Sequence, residues 1–286
     1  MILTCSPRAS FPPPGTLSAS GRLARRLGAA ALVLAGLVST GPLSAAELPQ
    51  TKHLVLDLSF DTPRAGFQPF SEDPKAELLT VPGGGVSRKP SDRALDNSAS
   101  LGMGGTKQTP GKGGGALVSR GATRLDGALS FTVQGWFRSE TDLVPSNYAR
   151  LIHSHRMSVL FDSAEGQGLV LSTDKGSVLC QDAALRRPGR WVFFAVAHDG
   201  TRPGDNVFFY AGTETEPVRL VGTGSLKPGA LRPALPNSPL VVGNVVDGDR
   251  PFDGLIDNIR IWASTDGADA LLDQTRLEEL RKTDAP

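Results

Sequence analysis

Cysteine is scarce in this sequence: only Cys5 and Cys180 occur among 286 residues. Cys5 lies in an N-terminal stretch that reads as a leader, so Cys180 would stand alone in the processed chain. A single cysteine excludes an internal disulfide and a cysteine-based metal cluster. Stability must therefore come from burial of apolar side chains and from pairing of strands.

Acidic residues are absent from the first 46 positions. Arginines precede an apolar run at 27–38, and small residues end the stretch at Ala46. This organisation predicts a signal peptide at 1–46, cleaved between Ala46 and Glu47. The apolar run is too short and too rich in Gly and Ala to favour a spanning helix. An organelle transit peptide is the alternative, since such peptides also lack acidic residues.

The charges of the chain are nearly balanced, with 30 basic and 29 acidic residues. The leader would remove four arginines, leaving 26 basic against 29 acidic residues and a net charge of −3. This balance gives no electrostatic argument for a nucleic acid partner or an anionic membrane surface. No segment after the leader approaches the length of a membrane span. We expect the processed protein in the periplasm, on the cell surface or secreted.

Short strand-like runs separated by Gly, Pro, Asn and Asp fill most of the region 47–286. This spacing is typical of a sandwich or jelly roll rather than of alternating strands and helices. The run at 191–200 is almost continuously apolar, which predicts a central strand covered on both faces. After Trp262 leucines recur at helical spacing, which predicts a C-terminal helix at about 266–281.

Three stretches carry a family resemblance. They read Phe-Thr-Val-Gln-Gly-Trp-Phe at 131–137, Trp-Val-Phe-Phe-Ala-Val-Ala-His-Asp-Gly at 191–200 and Phe-Asp-Gly-Leu-Ile-Asp-Asn-Ile-Arg-Ile-Trp at 252–262. These resemble strands of bacterial laminin G-like jelly-roll domains of the concanavalin A-like lectin/glucanase group. The resemblance implies an all-β, two-sheet antiparallel jelly-roll sandwich with a core at about 53–262 and a short C-terminal helix. That architecture serves lectins, adhesive modules and glycanases alike, so it specifies fold rather than function.

Glycan hydrolases of this group present clustered carboxylates from one strand, commonly as Glu-x-Asp-x-x-Glu. No such run occurs here. The acidic cluster near the closing strand contains no glutamate and lies partly in a turn; its members are Asp247, Asp249, Asp253 and Asp257. We therefore expect no glycosidase activity, because hydrolysis needs two carboxyl groups on either side of the scissile bond.

Two histidines, His153 and His155, are two positions apart and would face the same way on a strand. Such a pair can begin a zinc or copper site. No third ligand is visible nearby, and a solvent-facing strand beside Arg150 and Arg156 is the simpler interpretation.

Aromatic residues for a sugar-binding platform are few. The three tryptophans, Trp136, Trp191 and Trp262, fall at family strand positions and are expected in the core. An exposed ring is the usual partner of the apolar face of a pyranose. The remaining loop candidates are Tyr148, Phe67, Phe70 and Phe252. Rim loops can also bind sugars through Ca²⁺ and carboxylates.

Strict alternation along 255–261 places Asp257 with Leu255 and Ile259 on the face expected to be buried. An unpaired buried carboxylate is costly or becomes protonated, so a partner is expected. Three partners remain open: backbone amides of a neighbouring loop, an Arg or Lys, or a Ca²⁺ bound with Asp61 and main-chain carbonyls. The calcium alternative is an analogy with other jelly-roll modules. A bulge after Gly254 would instead rotate Asp257 outward, where no partner is needed.

The sequence therefore favours an exported, non-catalytic β-sandwich module that recognises a glycan or a protein ligand at the cell exterior. A structural or adhesive envelope protein without a small ligand is the alternative. A hydrolase with dispersed catalytic residues is the third hypothesis.

Overall fold

The computed structural model describes a defined set of segments: 2–4, 53–58, 70–71, 78–80, 87–88, 95–96, 116–118, 125–139, 148–162, 168–233, 238–252 and 254–285. For 2–4 and for the short segments between 70 and 118, the description covers the backbone alone. The predicted cleavage point after Ala46 lies outside the described residues, as do Asp61, Phe67 and Asp253.

The described chain is almost entirely β-structure. A 3₁₀ helix covers Ala183–Leu185, and one α-helix, α1, covers Gln274–Thr283. The strands are β1 (Ile2–Thr4), β2 (Leu54–Leu58), β3 (Phe70–Ser71), β4 (Leu78–Thr80), β5 (Ser87–Arg88), β6 (Leu95–Asp96), β7 (Ala116–Val118), β8 (Ser130–Ser139), β9 (Arg150–His153), β10 (Met157–Asp162), β11 (Gly168–Thr173), β12 (Gly176–Cys180), β13 (Val192–Asp199), β14 (Val207–Thr213), β15 (Arg219–Gly224), β16 (Leu240–Val242) and β17 (Gly254–Ser264).

These strands form two sheets. Sheet A has the order β1-β12-β11-β10-β9-β16-β7-β4, and sheet B has the order β15-β14-β13-β8-β17-β2-β3. β6 also pairs with β17, and β5 pairs with β6. Every pairing among the described strands is antiparallel except the parallel contact of β1 with β12. The predicted two-sheet antiparallel jelly-roll sandwich is confirmed. Among the described residues, no helix has the length and apolar character needed to cross a membrane.

Strand β13 is the central strand that the apolar run at 191–200 predicts. It pairs with β8 on one side and β14 on the other, and all eight of its residues are buried. Alternate side chains enter two different clusters: Phe194 and Val196 point into the core between the sheets, and Phe193 points to the outer side of sheet B. Sheet B is therefore covered on both faces, which explains the lack of polar alternation.

The outer side of sheet B is covered by the C-terminal segment. Leucines of α1 and of the chain before it pack there on the three tryptophans; the cluster includes Trp136, Trp191, Trp262, Leu272, Leu277 and Leu280. All three tryptophans are buried, as expected. They lie under the helix rather than between the two sheets. Burial of each large apolar side chain contributes about 1.5–3 kcal/mol, so this outer layer is a second core.

Helix α1 begins later than the predicted position near residue 266. Asp273 caps it, and its carboxylate accepts a hydrogen bond from the Arg276 amide at 2.8 Å. The preceding chain is held by hydroxyl groups of β8: the Thr132 hydroxyl donates to the Ala270 carbonyl at 2.7 Å. The same hydroxyl accepts from the Leu272 amide at 3.1 Å. Because these backbone groups are bonded to β8, they are not available for a helix before Asp273.

Strand β17 contains one extra residue where it passes β8. Asp257 lies opposite Trp136, and Arg260 lies opposite Gln134, so three steps along β17 match two along β8. Asn258, inside this bulge, has a φ of +48°, in the left-handed region that Asn tolerates better than most residues. A bulge of this kind re-aims the side chains that follow it.

The strict alternation expected along β17 is therefore wrong beyond Asp257. The side chains on the inter-sheet side are Ile256, Ile259 and Ile261. Asp257 shares the outer side of sheet B with its cross-strand neighbour Trp136. It is nevertheless 2% exposed, because the C-terminal segment covers that side of the sheet. Asp257 thus faces away from the inter-sheet core with Leu255, before the bulge, and the bulge turns Ile259 back to the inter-sheet side.

Candidate functional site

A cleft of about 460 Å³ opens where β9 and the β9–β10 turn meet the loop after β16. Its lining residues, which define what we call the Arg150 cleft, are Arg150, His153, His155, Pro239, Val245, Val246, Asp247, Asp249 and Arg250. Ile152 and Val159 turn into the inter-sheet core, so the neighbouring His153 and Ser158 face the other side of sheet A. The Arg150 cleft is therefore on the side of the sandwich opposite to α1.

The loop at 243–252 is held by a buried amide side chain. Asn244 is fully buried, and its Oδ1 accepts from the amides of Val245 at 2.8 Å and Arg250 at 2.9 Å. Its Nδ2 donates to the Gly248 carbonyl at 3.3 Å. The loop is also tied to β9, because the Arg150 amide donates to the Arg250 carbonyl at 3.1 Å. A wall fixed in this way lowers the ordering cost of binding a ligand.

The Arg150 guanidinium is half-buried in the cleft wall. Its Nη1 donates to the Tyr148 carbonyl. Its Nε is buried and has no hydrogen-bond partner in the described structure. Burial, and then the nearby Arg250 guanidinium, lower the pKa of Arg150 to about 10. The side chain therefore remains a cation at neutral pH, in a setting that disfavours a cation.

Tyr148 lies at the edge of the cleft, held by both arginines. Its φ is +49°, its carbonyl accepts from Arg150, and the Arg250 guanidinium lies 5.5 Å from the ring centroid. Tyr148 is 37% exposed and Val246, in the loop after β16, is 46% exposed; among the described residues these are the exposed large apolar side chains. The edge of the cleft thus presents an aromatic ring and an aliphatic group beside polar donors and acceptors.

His153 and His155 both line the cleft, but only His153 is on a strand. Nδ1 of His153 is 2.8 Å from the Ser158 hydroxyl. Burial, then the Arg150 and His155 charges, lower the pKa of His153 to about 4, and Asp247 partly offsets them. His153 is therefore neutral at pH 7. His155 is exposed in the following turn, and no group of three His, Cys, Asp or Glu side chains in the described structure could hold a metal ion.

Asp257 lies apart from this cleft, on the outer side of sheet B. Its Oδ1 accepts a hydrogen bond from the Asn258 amide at 2.8 Å. The Asn258 carbonyl in turn accepts from the Gln134 side chain at 3.1 Å. The partner is thus the amide of the next residue in β17, whereas the expected amide came from a neighbouring loop. The proposed calcium site joining Asp257 to Asp61 stays a prediction, because Asp61 lies outside the described residues.

The acidic residues and loop aromatics that the sequence suggested as site residues lie partly in the cleft and partly in the core. Asp247 and Asp249 line the cleft, as the turn-rich sequence permits. Phe252 is not a loop platform: it is fully buried, with its ring 5.9 Å from Phe137 and 6.1 Å from Phe161. Its apolar neighbours on both sheets explain why it turns inward.

Sequence reasoning missed Arg150, Asn244 and Arg250 as parts of one site. The arginines come from segments far apart in the sequence, and backbone pairing brings them together. A signal was present in Gly243-Asn244, which directly follows β16, since Asn after a strand often bonds to nearby backbone groups and shapes a turn.

The family model described as concanavalin A-like lectin/glucanases superfamily matches residues 111–269. The chain belongs to this superfamily. The match includes the cleft-forming strands β9 and β16 and the whole of the closing strand β17. No curated protein matches the chain.

Solved structures share the fold at low identity. Domain 4 of an extracellular arabinanase from Geobacillus stearothermophilus, in complex with arabinotriose, has a TM-score of 0.51 and 16% identity, covering 79% of this chain and 97% of that chain. The binding domain of botulinum neurotoxin DC in complex with SialylT has a TM-score of 0.52 and 14% identity, covering 82% of this chain and 52% of that chain. The binding domain of botulinum neurotoxin serotype D/C VPI 5993 has a TM-score of 0.50 and 13% identity, covering 81% and 52%. This chain thus spans about half the length of the toxin binding domains, and likeness at these identities shows the fold alone.

Proposed function

We propose that this protein is an exported, non-catalytic β-sandwich that binds a carbohydrate in the Arg150 cleft. The observation that carries the proposal is the exposed Tyr148 ring at the edge of a cleft whose wall is fixed by buried Asn244. The apolar face of a sugar ring packs on an aromatic side chain, and a few fixed polar groups orient its hydroxyls. The Arg150 cleft offers both.

The polar groups of the cleft suit hydroxyl recognition. Arg150 and Arg250 supply donors, whereas Asp247 and Asp249 supply acceptors. His153, neutral at pH 7, supplies one ring nitrogen besides the one facing Ser158. Val246, another lining residue, provides an exposed apolar surface. A saccharide is the class of ligand that combines an apolar ring face with hydroxyls on its edges.

A binding role rather than hydrolysis is supported by the position of the cleft carboxylates. Asp247 and Asp249 come from the same turn, and the Asp249 amide donates to the Asp247 carboxylate at 3.4 Å. Two carboxyl groups from one turn do not flank a bond from opposite sides, as glycoside hydrolysis requires. Two proteins of similar fold were solved as complexes with arabinotriose and with SialylT. Those complexes support glycan binding as the use of the fold here.

The test is a glycan array probed with the purified protein, followed by calorimetric titration of each glycan that binds. We expect Tyr148→Ala to weaken binding roughly tenfold, because the sugar no longer buries part of an aromatic ring. Tyr148→Phe keeps the ring and is the matched control, so its affinity should stay near that of the wild type.

Two outcomes would contradict the proposal. A wild-type protein that binds no glycan would favour the structural or adhesive envelope role instead. Binding that Tyr148→Ala leaves unchanged would locate the carbohydrate site outside the Arg150 cleft.

A further inference from the structure

Arg150 differs from other arginines that this fold takes out of solvent. Arg156 is paired with Asp126, Arg260 with Asp57 and Asp284, and Arg281 with Glu278. In each case a carboxylate offsets the cost of burying the guanidinium. Arg150 has no carboxylate within ion-pair distance among the described residues; its hydrogen bond goes to the neutral Tyr148 carbonyl.

The surroundings of Arg150 add to that cost. The Arg250 cation lies close enough to lower the pKa of Arg150, and the backbone bond between the two residues keeps them together. Nε is buried without a partner in the described structure, which adds to the cost of this cation. The terminal nitrogens carry four further N–H donors, and the Tyr148 carbonyl accepts from one of them. Among the described residues, Arg150 is held by its hydrogen bond to the Tyr148 carbonyl and by no ion pair. Ionisable groups kept in such costly settings cluster at functional sites.

The charges around Arg150 limit the kind of anion that fits. Asp247 and Asp249 line the same cleft, and His153 is neutral at pH 7, so the cleft as a whole is not cationic. A densely sulfated chain would bring acidic groups against both aspartates. A single acidic group on an otherwise neutral saccharide would meet Arg150 while its hydroxyls face the aspartates.

We infer that the Arg150 cleft selects saccharides that carry a single carboxylate or sulfate, with Arg150 as the residue that binds the acidic group. This inference rests on the proposed function, since it names the ligand class of the same site. The two terminal nitrogens of the planar guanidinium fork match a carboxylate through two parallel hydrogen bonds, while the other N–H of Nη1 stays on the Tyr148 carbonyl. Tyr148, which is bonded to Arg150, places the sugar ring beside that fork.

The experiment uses an array of neutral, monocarboxylated, monosulfated and polysulfated oligosaccharides. Each carboxylated saccharide that binds is then titrated beside its carboxyl-reduced counterpart, in which a hydroxymethyl group replaces the carboxylate. We expect reduction of the carboxylate to weaken binding about tenfold or more, because the charged hydrogen bonds to Arg150 are lost. The carboxylated and monosulfated arms separate the two sources of the acidic group.

Arg150→Gln should bind the acid and its reduced counterpart with equal affinity. Arg150→Lys, which keeps a point charge but not the fork, should retain a reduced preference for the acid. Arg190→Gln, an exposed position outside the cleft, is the matched control and should keep the full preference. A second readout is thermal unfolding: Arg150→Gln should melt close to the wild type, because it loses the hydrogen bond to the Tyr148 carbonyl but no ion pair among the described residues.

Several results would overturn the inference. Equal binding of neutral and acidic saccharides by the wild type would remove the acidic-group subsite and leave carbohydrate binding intact. Strongest binding of the polysulfated chains would contradict the limit to a single acidic group. A preference for acids that survives in Arg150→Gln would assign recognition to another residue. Absence of any saccharide binding would remove both the inference and the proposed function.

Discussion

Asn258 donates a hydrogen bond from its side-chain amide to the main-chain carbonyl of Asp284, at 3.0 Å. This bond joins the bulge of β17 to the cap residue at the end of α1. Two positions further along, Arg260 is paired with the carboxylates of Asp284 and Asp57. Burial alone would lower the pKa of Arg260, but the two carboxylates outweigh it and hold the pKa above its ordinary value. The bulge therefore aims β17 side chains at the C-terminal segment.

Asp284→Ala should lower the free energy of unfolding by about 2 kcal/mol, because it removes a charged partner from half-buried Arg260. Asp269→Ala, at an exposed position in the same C-terminal segment, is the control and should change stability little. Urea unfolding of both variants and the wild type provides the comparison. Equal stability of Asp284→Ala and the wild type would show that the C-terminal contact does not stabilise the fold.

Gly254→Ala should be strongly destabilising. Gly254 has a φ of +146°, and a Cβ there would overlap the carbonyl oxygen of Arg138 on β8. Gly189→Ala is the matched control: its φ is +72°, and nothing lies within 4 Å of an added Cβ. We expect Gly189→Ala to lower the free energy of unfolding by about 1 kcal/mol, because of backbone strain. Gly254→Ala should lower it by about 2 kcal/mol more, because the added Cβ overlaps a backbone atom. Thermal melts that show equal losses would refute the steric argument.

The sequence was sufficient to predict β8, β13 and the ends of β17, because burial on both faces of sheet B requires nearly continuous apolar runs. It could not locate the bulge that follows Asp257, because the Asp284 carbonyl, which accepts a hydrogen bond from the bulge residue Asn258, lies 26 residues further along the chain. It also could not join Arg150 to Arg250, since that pairing depends on long-range backbone bonds. Local pattern specifies strands, whereas the cleft depends on which strands become neighbours.

Export predicts that the recovered protein starts at Glu47. Intact mass spectrometry of protein from a secreting host measures this directly. The expected mass is that of residues 47–286, because arginines followed by an apolar run and small residues direct cleavage after Ala46. A recovered chain that still carries residues 22–46 would show that the leader remains as an anchor.

Calcium binding by Asp257 is tested by thermal unfolding with calcium and with a chelator. If Asp257 and Asp61 share a calcium ion, calcium should raise the melting temperature of the wild type and leave Asp257→Ala unchanged. If the Asn258 amide is the partner that matters, Asp257→Ala should destabilise the protein equally in both conditions. Asp257→Asn keeps an acceptor for that amide. It should therefore be nearly as stable as the wild type if the Asn258 amide is the partner, but not if calcium is.

His198 should make the protein sensitive to mild acid. The ring is fully buried beside Phe131, and neither ring nitrogen has a hydrogen-bond partner in the described structure. Burial lowers the pKa of His198 to about 4, although the Asp199 and Asp174 charges raise it and Lys175 lowers it further. Above pH 6.5 neither the folded nor the unfolded chain holds a proton on this ring, so stability is independent of pH there. Between about pH 6.5 and pH 4 only the unfolded chain gains the proton, and the free energy of unfolding falls as the pH falls.

The expected loss from His198 over that range is roughly 3 kcal/mol. His198→Leu should remove this contribution and leave a smaller slope, part of which comes from His153, whose pKa is also lowered by burial. At pH 7.5 His198→Leu should be at least as stable as the wild type, because no hydrogen bond is lost. His155→Gln, at an exposed position, is the control; it removes one of the charges that lower the pKa of His153, so it should change the slope much less than His198→Leu. Urea unfolding at half-unit steps from pH 4 to pH 7.5 measures all three proteins, and parallel curves for the wild type and His198→Leu would show that the buried ring accepts its proton in the folded state.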